Sequence, residues 1–236
     1  EENYFIGHRS GTSITSGIYN VFLGYEAGMM TEGGAQNYQG SSNIFIGYMS
    51  GKNNTSGYEN IFLGDSSGTN NTSGQQNVFI GTNAGQSNGN GFENIFIGSD
   101  AGLNNQADHN IYIGDDAGRN NINGTNNVAI GDGAGRKNTK NQNVYLGSSS
   151  GFNNEQGTQN TMLGAFSGQV NNGSGNVFVG SFSGRFNDGS DNVYVGKFSG
   201  LEADGSGNIF IGASSGYWEA GDNKLYIENS AANQNN

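Results

Sequence analysis

The sequence predicts an all-β protein whose chain winds into a parallel β-solenoid, or β-roll, of about 13–14 coils with repeats of 16–17 residues. Three observations support this fold class. A nine-residue frame recurs thirteen times, each frame opens with β-branched and aromatic residues that suit strands, and glycine returns every few positions. Because no segment shows the 3.6-residue apolar period of a helix, we expect the frames to stack as strands about 4.8 Å apart.

Each frame reads N-x-x-x-G-x-x-[AS]-G, for example NIFIGSDAG at residues 94–102. The frame never changes length, whereas the tail that follows it has seven or eight residues, or 14 in the long loop 29–42. Length variation that is confined to the tails predicts that the tails are outer loops and the frames are the packed part. The predicted solenoid domain covers residues 1–228, and a polar C-terminal tail follows at 229–236.

The asparagine that opens each frame predicts a column of stacked amides. An amide side chain is both a donor and an acceptor, so stacked copies can hydrogen-bond from coil to coil. The alternative is that asparagine only suits a turn, but an unbroken column favours the ladder. The predicted ladder comprises Asn20, Asn43, Asn60, Asn77, Asn94, Asn110, Asn127, Asn143, Asn160, Asn176, Asn192 and Asn208.

The strands are apolar on both faces, which predicts an interface between chains. Side chains alternate along a strand, so Ile95 and Ile97 face one side and Phe96 faces the other. We expect the aliphatic side chains, with small residues such as Ala101 opposite, to fill a coil too narrow for an aromatic layer. An outer aromatic stripe would exceed the roughly 300–600 Å² patch of ordinary monomers, so copies of the chain should cover it. The predicted subunit interface is Phe22, Phe45, Phe62, Phe79, Phe96, Tyr112, Tyr145, Phe178, Tyr194 and Phe210.

Repeats of the form N-[IV]-[FY]-[ILV]-G-x-x-[AS]-G resemble the head domains of trimeric autotransporter adhesins, the YadA-like β-rolls. They are also similar to Asn- and Gly-rich repeats in surface fibre proteins of Bacteroidetes-type bacteria and in phage tail fibres. The closing GDNKLYIENS, residues 221–230, is similar to the way such arrays end before a stalk. The resemblance covers essentially the whole chain and implies a homotrimeric β-roll, exposure on a surface, and adhesion.

One surface position changes along the chain. Just before the small residue of the frame, late coils carry Phe166, Phe182 and Phe198. If the small neighbour points inward, these rings point outward and form a contact patch for a receptor, a glycan or a neighbouring fibre. Local packing between subunits is the alternative explanation. Arg119, Arg136 and Arg185 share one register after the second glycine and are expected to offset nearby acids.

Catalytic and metal-binding patterns are weak. His8 and His109 are about six coils apart, roughly 30 Å at the strand spacing, so they cannot share a site. Gly-x-Gly patterns indicate a phosphate-binding site only where a helix follows them, and the sequence predicts no helix here. A calcium site at Asp188 and Asp191 is conceivable, but the G-G-x-G-x-D signature of calcium solenoids is missing. We therefore expect neither an enzyme nor a cofactor.

Charge and composition exclude other classes of partner. The net charge is −11 and there is no basic block, which argues against nucleic acid and anionic membranes. No apolar run reaches the roughly 20 residues of a membrane-spanning helix. The absence of cysteine excludes disulfides and thiolate metal sites.

The sequence predicts an extracellular or cell-surface structural protein, a fibre or fibre head with adhesive function. We expect it to associate laterally with itself, with a trimer favoured. Because a solenoid leaves open strand edges, end-to-end stacking into filaments is expected in addition. A host or surface glycan or protein is the expected external partner. The alternative function is a monomeric ice- or glycan-binding module.

Overall fold

The computed structural model describes residues 2–36 and 38–229, and in it the chain is a parallel β-solenoid of about 13 turns with repeats of about 17 residues. The predicted fold class is confirmed. The chain divides into two compact units, the first ending at Asn123 and the second beginning at Gly124. Except for Asn229, the polar tail predicted for 229–236 lies outside the described residues.

The first unit contains seven short parallel strands, one per coil, that pair in chain order and without register shift. Each aromatic residue at the middle of a strand therefore stands over the corresponding residue of the next coil. The strands are β1 (Tyr4–Ile6), β2 (Val21–Leu23), β3 (Ile44–Ile46), β4 (Ile61–Leu63), β5 (Val78–Ile80), β6 (Ile95–Ile97) and β7 (Ile111–Ile113).

The second unit repeats this arrangement and adds a small second sheet in its tails. Its seven frame strands pair in parallel in chain order. They are β8 (Val128–Ile130), β9 (Val144–Leu146), β10 (Thr161–Leu163), β12 (Val177–Val179), β14 (Val193–Val195), β15 (Ile209–Ile211) and β16 (Leu225–Ile227). The second sheet pairs β11 (Val170–Asn171) with β13 (Phe186–Asn187).

The aromatic column lies inside the coil, so the predicted subunit interface is wrong. Each of its members is at most 1% exposed in the isolated chain, which leaves no surface for a neighbouring molecule to cover. The buried residues are Phe22, Phe45, Phe62, Phe79, Phe96, Tyr112, Tyr145, Phe178, Tyr194 and Phe210. From Phe45 to Phe96 the ring centroids are 4.8 Å apart and the ring planes lie within 8° of parallel.

The coil has room for a ring because the residues opposite it are small. In the coils that carry a ring, the second glycine of the frame lies against that ring: a Cβ added to Gly85 would be 2.5 Å from the Phe79 ring. The Ala or Ser before that glycine is buried as well, as predicted for residues of the Ala101 type. Ser67 uses its hydroxyl to donate a hydrogen bond to the carbonyl of Phe79 at 3.1 Å.

The asparagine ladder is confirmed, and each of its side chains makes two kinds of contact. The Oδ1 atom accepts a hydrogen bond from the backbone N–H of the next frame asparagine at 2.8–3.0 Å, as between Asn60 and Asn77. The Nδ2 group donates to a tail carbonyl of its own coil, for example from Asn60 to Gly74 at 2.8 Å. Each such side chain thus bonds the frame of its coil to the tail of the same coil and to the frame of the next coil.

A second column of buried asparagines lies three residues after the second glycine. In the first unit it forms a direct amide ladder, in which Asn71 donates to Asn54 at 2.8 Å and Asn88 donates to Asn71 at 2.9 Å. Where the stacked ring is a tyrosine, its hydroxyl reaches this column, as Tyr112 does at Asn121 over 2.5 Å. The column comprises Asn54, Asn71, Asn88, Asn105, Asn121, Asn138, Asn154, Asn171 and Asn187.

Replacing the buried ring of Phe79 with alanine should lower the free energy of unfolding by about 3–5 kcal/mol, because the ring lies between those of Phe62 and Phe96. The matched control is Val78→Ala, which shortens a half-exposed side chain on the same strand and should cost at most about 1 kcal/mol. Urea unfolding followed by circular dichroism provides both values. Equal losses for the two variants would contradict the inward assignment of the ring.

Gly85→Ala and Gly89→Ala separate the cost of a ring contact from the cost of backbone conformation. Both glycines have φ near +60° (57° and 63°), where an L side chain costs roughly 1–2 kcal/mol. A Cβ at Gly89 would meet only the Ser87 carbonyl oxygen at 4.0 Å, whereas one at Gly85 would collide with the Phe79 ring at 2.5 Å. Gly85→Ala should therefore lower the free energy of unfolding by about 1–3 kcal/mol more than Gly89→Ala. An equal effect would mean that the ring can move aside.

Candidate functional site

The most extensive candidate interaction surface is the outer face of the frame strands. The residues on either side of each ring point away from the core, so each unit presents two columns of side chains. The expectation that Ile95 and Ile97 fill the coil is therefore wrong, because the ring between them occupies that space. Nearly all members are Ile, Leu or Val, and Thr161 is the polar exception. Away from the chain ends, Leu146 is 47% exposed and Ile95 is 37% exposed.

The outer face of each unit has the area of a large apolar surface patch. Seven strands at about 4.8 Å spacing and two outward columns about 7 Å apart give each unit an apolar strip of roughly 34 by 10 Å, or about 340 Å². The strip of each unit is thus within the roughly 300–600 Å² of the largest patch on a typical monomer, a patch that is often functional. A surface of this kind is typical of sites that bind another macromolecule.

The late phenylalanines lie half-buried at the surface of the second unit. Phe166 and Phe182 stack with centroids 5.0 Å apart, and Phe198 lies 5.3 Å further along. The Arg185 guanidinium lies 5.2 Å from the Phe182 centroid and 4.7 Å from that of Phe186. Contacts within the chain thus account for part of this patch, and its role in binding stays a prediction. Arg185 packs on aromatic rings, which differs from its predicted role of offsetting an acid.

Charged side chains form small local groups at the corners. Arg119 lies 3.3 Å from both Asp100 and Asp116, which confirms its predicted role. His8 stacks on Tyr25, whereas His109 lies 3.2 Å from a carboxylate oxygen of Glu93. The two histidines thus have separate surroundings.

The structure places the proposed calcium ligands in ordinary coil-to-coil contacts. Asp188 accepts a hydrogen bond from Asn172 at 2.8 Å. Across residues 2–36 and 38–229, no three His, Asp or Glu side chains are grouped so as to hold a metal ion.

Nor does any helix in those ranges have the length and apolarity that crossing a bilayer demands.

Glu26 is the most deeply buried carboxylate of the first unit, with 4% of its surface exposed. The Lys52 ammonium lies 2.7 Å from its Oε2 atom, and the Arg9 guanidinium lies 2.9 Å from Oε1. The hydrogen bond from Lys52, together with the charges of Lys52 and Arg9, outweighs burial and holds the pKa of Glu26 below its ordinary value of 4.5. This cluster fastens three successive coils together.

Sequence reasoning missed two features of these surfaces. The outer aliphatic face was assigned to the interior because a coil of 16–17 residues was expected to be too narrow for an aromatic layer. The second asparagine column was missed although its signal is in the sequence, since an asparagine recurs three residues after the second glycine from Asn54 to Asn187.

The fold and its surfaces define the class of protein: a parallel β-solenoid built from asparagine- and glycine-rich repeats. Comparison of this chain with protein-family models, with curated proteins and with solved structures finds no match.

Replacing Glu26 with glutamine should make stability less dependent on pH. Because the pKa of Glu26 is lower in the folded chain than in the unfolded chain, its stabilising effect is complete above about pH 4.5 and is lost as the pH falls through the folded-state pKa. The wild-type melting temperature should exceed that of the variant at pH 7, and the difference should shrink as the pH falls below 4.5. Glu32→Gln, at an exposed position in the same unit, is the control and should follow the wild type.

Proposed function

We propose that this chain is a structural and adhesive component of an extracellular fibre or fibre head, and that copies associate laterally through the outer aliphatic face. The observation that carries this proposal is the pair of columns, nearly all Ile, Leu or Val, on the outside of the frame strands of each unit. The lateral association predicted from the sequence is retained, but its surface is changed from the aromatic column to the aliphatic one.

The area and chemistry of the outer face favour a second copy of the same chain as its partner. Two copies that pair one such strip with its counterpart would bury about 680 Å² of apolar strip, and the polar residues around it would supply the rim of the interface. The columns are almost free of charge, as in the apolar interfaces of obligate oligomers. A second copy of the chain has the same spacing between its strands, so its columns can match this face residue by residue.

The number of chains in the oligomer depends on which of the two columns contact each other between neighbouring chains. Face-to-face pairing would give a dimer with a two-fold axis. In a three-fold arrangement, the column before the rings in one chain would lie against the column after the rings in the next. We favour the trimer because the repeats resemble those of trimeric adhesin heads, in which association of this kind is expected.

The mechanical role follows from the bonding between coils. Each coil is fastened to the next by strand pairing, by the frame asparagines and by stacked rings, so each unit resists bending and local opening. The exposed positions of the tails vary in sequence, as expected for loops that carry binding functions on a rigid scaffold. Surface display places such a scaffold where adhesion takes place.

Replacing Ile95 and Ile97 together with serine should dissociate the oligomer while leaving the fold in place, since both side chains are partly exposed in the isolated chain. Light scattering after gel filtration should give about three times 24.7 kDa for the wild type and close to 24.7 kDa for the variant. Circular dichroism should be unchanged.

The control for this experiment is Gln106→Ala, which alters an exposed tail position and should leave the mass unchanged. A wild type that stays at 24.7 kDa at high micromolar concentration would contradict lateral association and would favour a monomeric binding module. A mass of twice that value would retain the interface and replace the trimer with a dimer. Negative-stain imaging then distinguishes discrete particles from filaments.

A further inference from the structure

A notch interrupts one corner of the first unit, and its cause is a change of side-chain size across three coils. The two residues that precede the frame asparagine are Ile18 and Tyr19 in one coil and Tyr58 and Glu59 two coils later. Between them the intervening coil carries only two serines, at 41 and 42. Because the coils are about 4.8 Å apart, these small serine side chains leave a gap between the bulky side chains of the coils on either side. The resulting cavity has a volume of about 320 Å³.

The long loop 29–42 supplies a further wall of this cavity. Tyr38 places its ring edge-on to the ring of Tyr58, with centroids 4.8 Å apart and planes at 63°. Backbone hydrogen bonds hold the floor, from Ser42 to Ile18 at 2.9 Å and from Glu59 to Ser41 at 3.0 Å. The cavity therefore has three tyrosines around a floor that pairing between coils keeps in place.

The electrostatic character of the cavity is negative. All the described residues that line it are neutral or acidic, and the acidic one is Glu59. Gln76 donates a hydrogen bond to the Oε2 atom of Glu59 at 3.0 Å, which orients the carboxylate. Burial, together with Tyr38 and Glu59, raises the pKa of the Tyr58 hydroxyl. Tyr58 therefore stays neutral and presents an intact aromatic face.

We propose that this cavity is a binding site for a small organic cation with a methylated ammonium head group. The faces of aromatic rings attract such cations, and recognition of quaternary ammonium groups by aromatic cages uses this attraction. Glu59 adds a full negative charge, whereas an anionic ligand would be repelled by both the carboxylate and the net charge of −11. Cavities of this volume are at the lower end of those that hold small ligands. The site does not depend on lateral association of the chains.

The test is titration of the full chain with choline, followed by saturation-transfer NMR and calorimetry. The neutral isostere 3,3-dimethylbutan-1-ol has the same shape without the charge. Choline should bind at least about fivefold more tightly than the isostere, because an attraction of about 1 kcal/mol or more is lost with the charge. Tyr38→Ala and Glu59→Gln should each weaken choline binding by about threefold or more, and Glu59→Gln should leave the isostere unaffected.

The matched control is Tyr48→Ala, which removes an exposed tyrosine that stacks on Tyr25 at another corner. It should leave choline binding unchanged. Equal affinity for choline and the isostere would overturn the proposal, as would binding that Tyr38→Ala and Glu59→Gln do not alter. Binding of methyl glucoside in place of choline, dependent on Tyr38, would overturn it too and assign the cavity to a neutral sugar. The mass of each sample in solution is recorded separately, so loss of choline binding is distinguishable from loss of the oligomer.

Discussion

The hydrogen bond from the backbone of one frame asparagine to the side chain of the asparagine below it is the interaction on which this structure depends. It recurs at 2.8–3.0 Å from coil to coil within each unit, and it fixes the register of the strand that follows. Because the same amide also binds a carbonyl in the tail of its own coil, a buried polar group is satisfied in two directions without water. A solenoid whose strands have only three residues each needs this bond, since three-residue strands alone would pair in several registers.

With the register fixed, identical residues stand over one another, and the remaining features follow. Rings stack in parallel, and buried amides in the tails can bind amides of their own kind. The glycine that lies against each ring sets the width of the coil. Polar tyrosines fit the same column as phenylalanines because their hydroxyls reach the second asparagine column. Burial in that column raises the pKa of the Tyr194 hydroxyl, which therefore remains a donor.

The fold class, the repeat and the asparagine ladder could be predicted from the sequence because each depends on residues that recur at a fixed spacing. The assignment of faces could not, since alternation along a strand divides side chains into two sets without saying which set is inside. The deciding information was in residues outside the strand: glycine and Ala or Ser at positions such as Gly85 and Ala84 leave space for one ring and not for two branched aliphatics. The cavity at Tyr58 was beyond sequence reasoning for a different reason. It arises where side chains are small in one coil only, and it includes a tyrosine from an irregular loop.

The confinement of length changes to the tails has a consequence for how such a chain evolves. Within each unit a coil bonds only to the coils directly before and after it, and most coils present the same kinds of amide, ring and glycine to their neighbours. A gene that duplicates or loses one whole repeat therefore produces a chain whose new junction is chemically the same as the old ones. Slippage during replication by one repeat length preserves the fold, whereas the loss of a single codon within the frame misaligns every column at that coil.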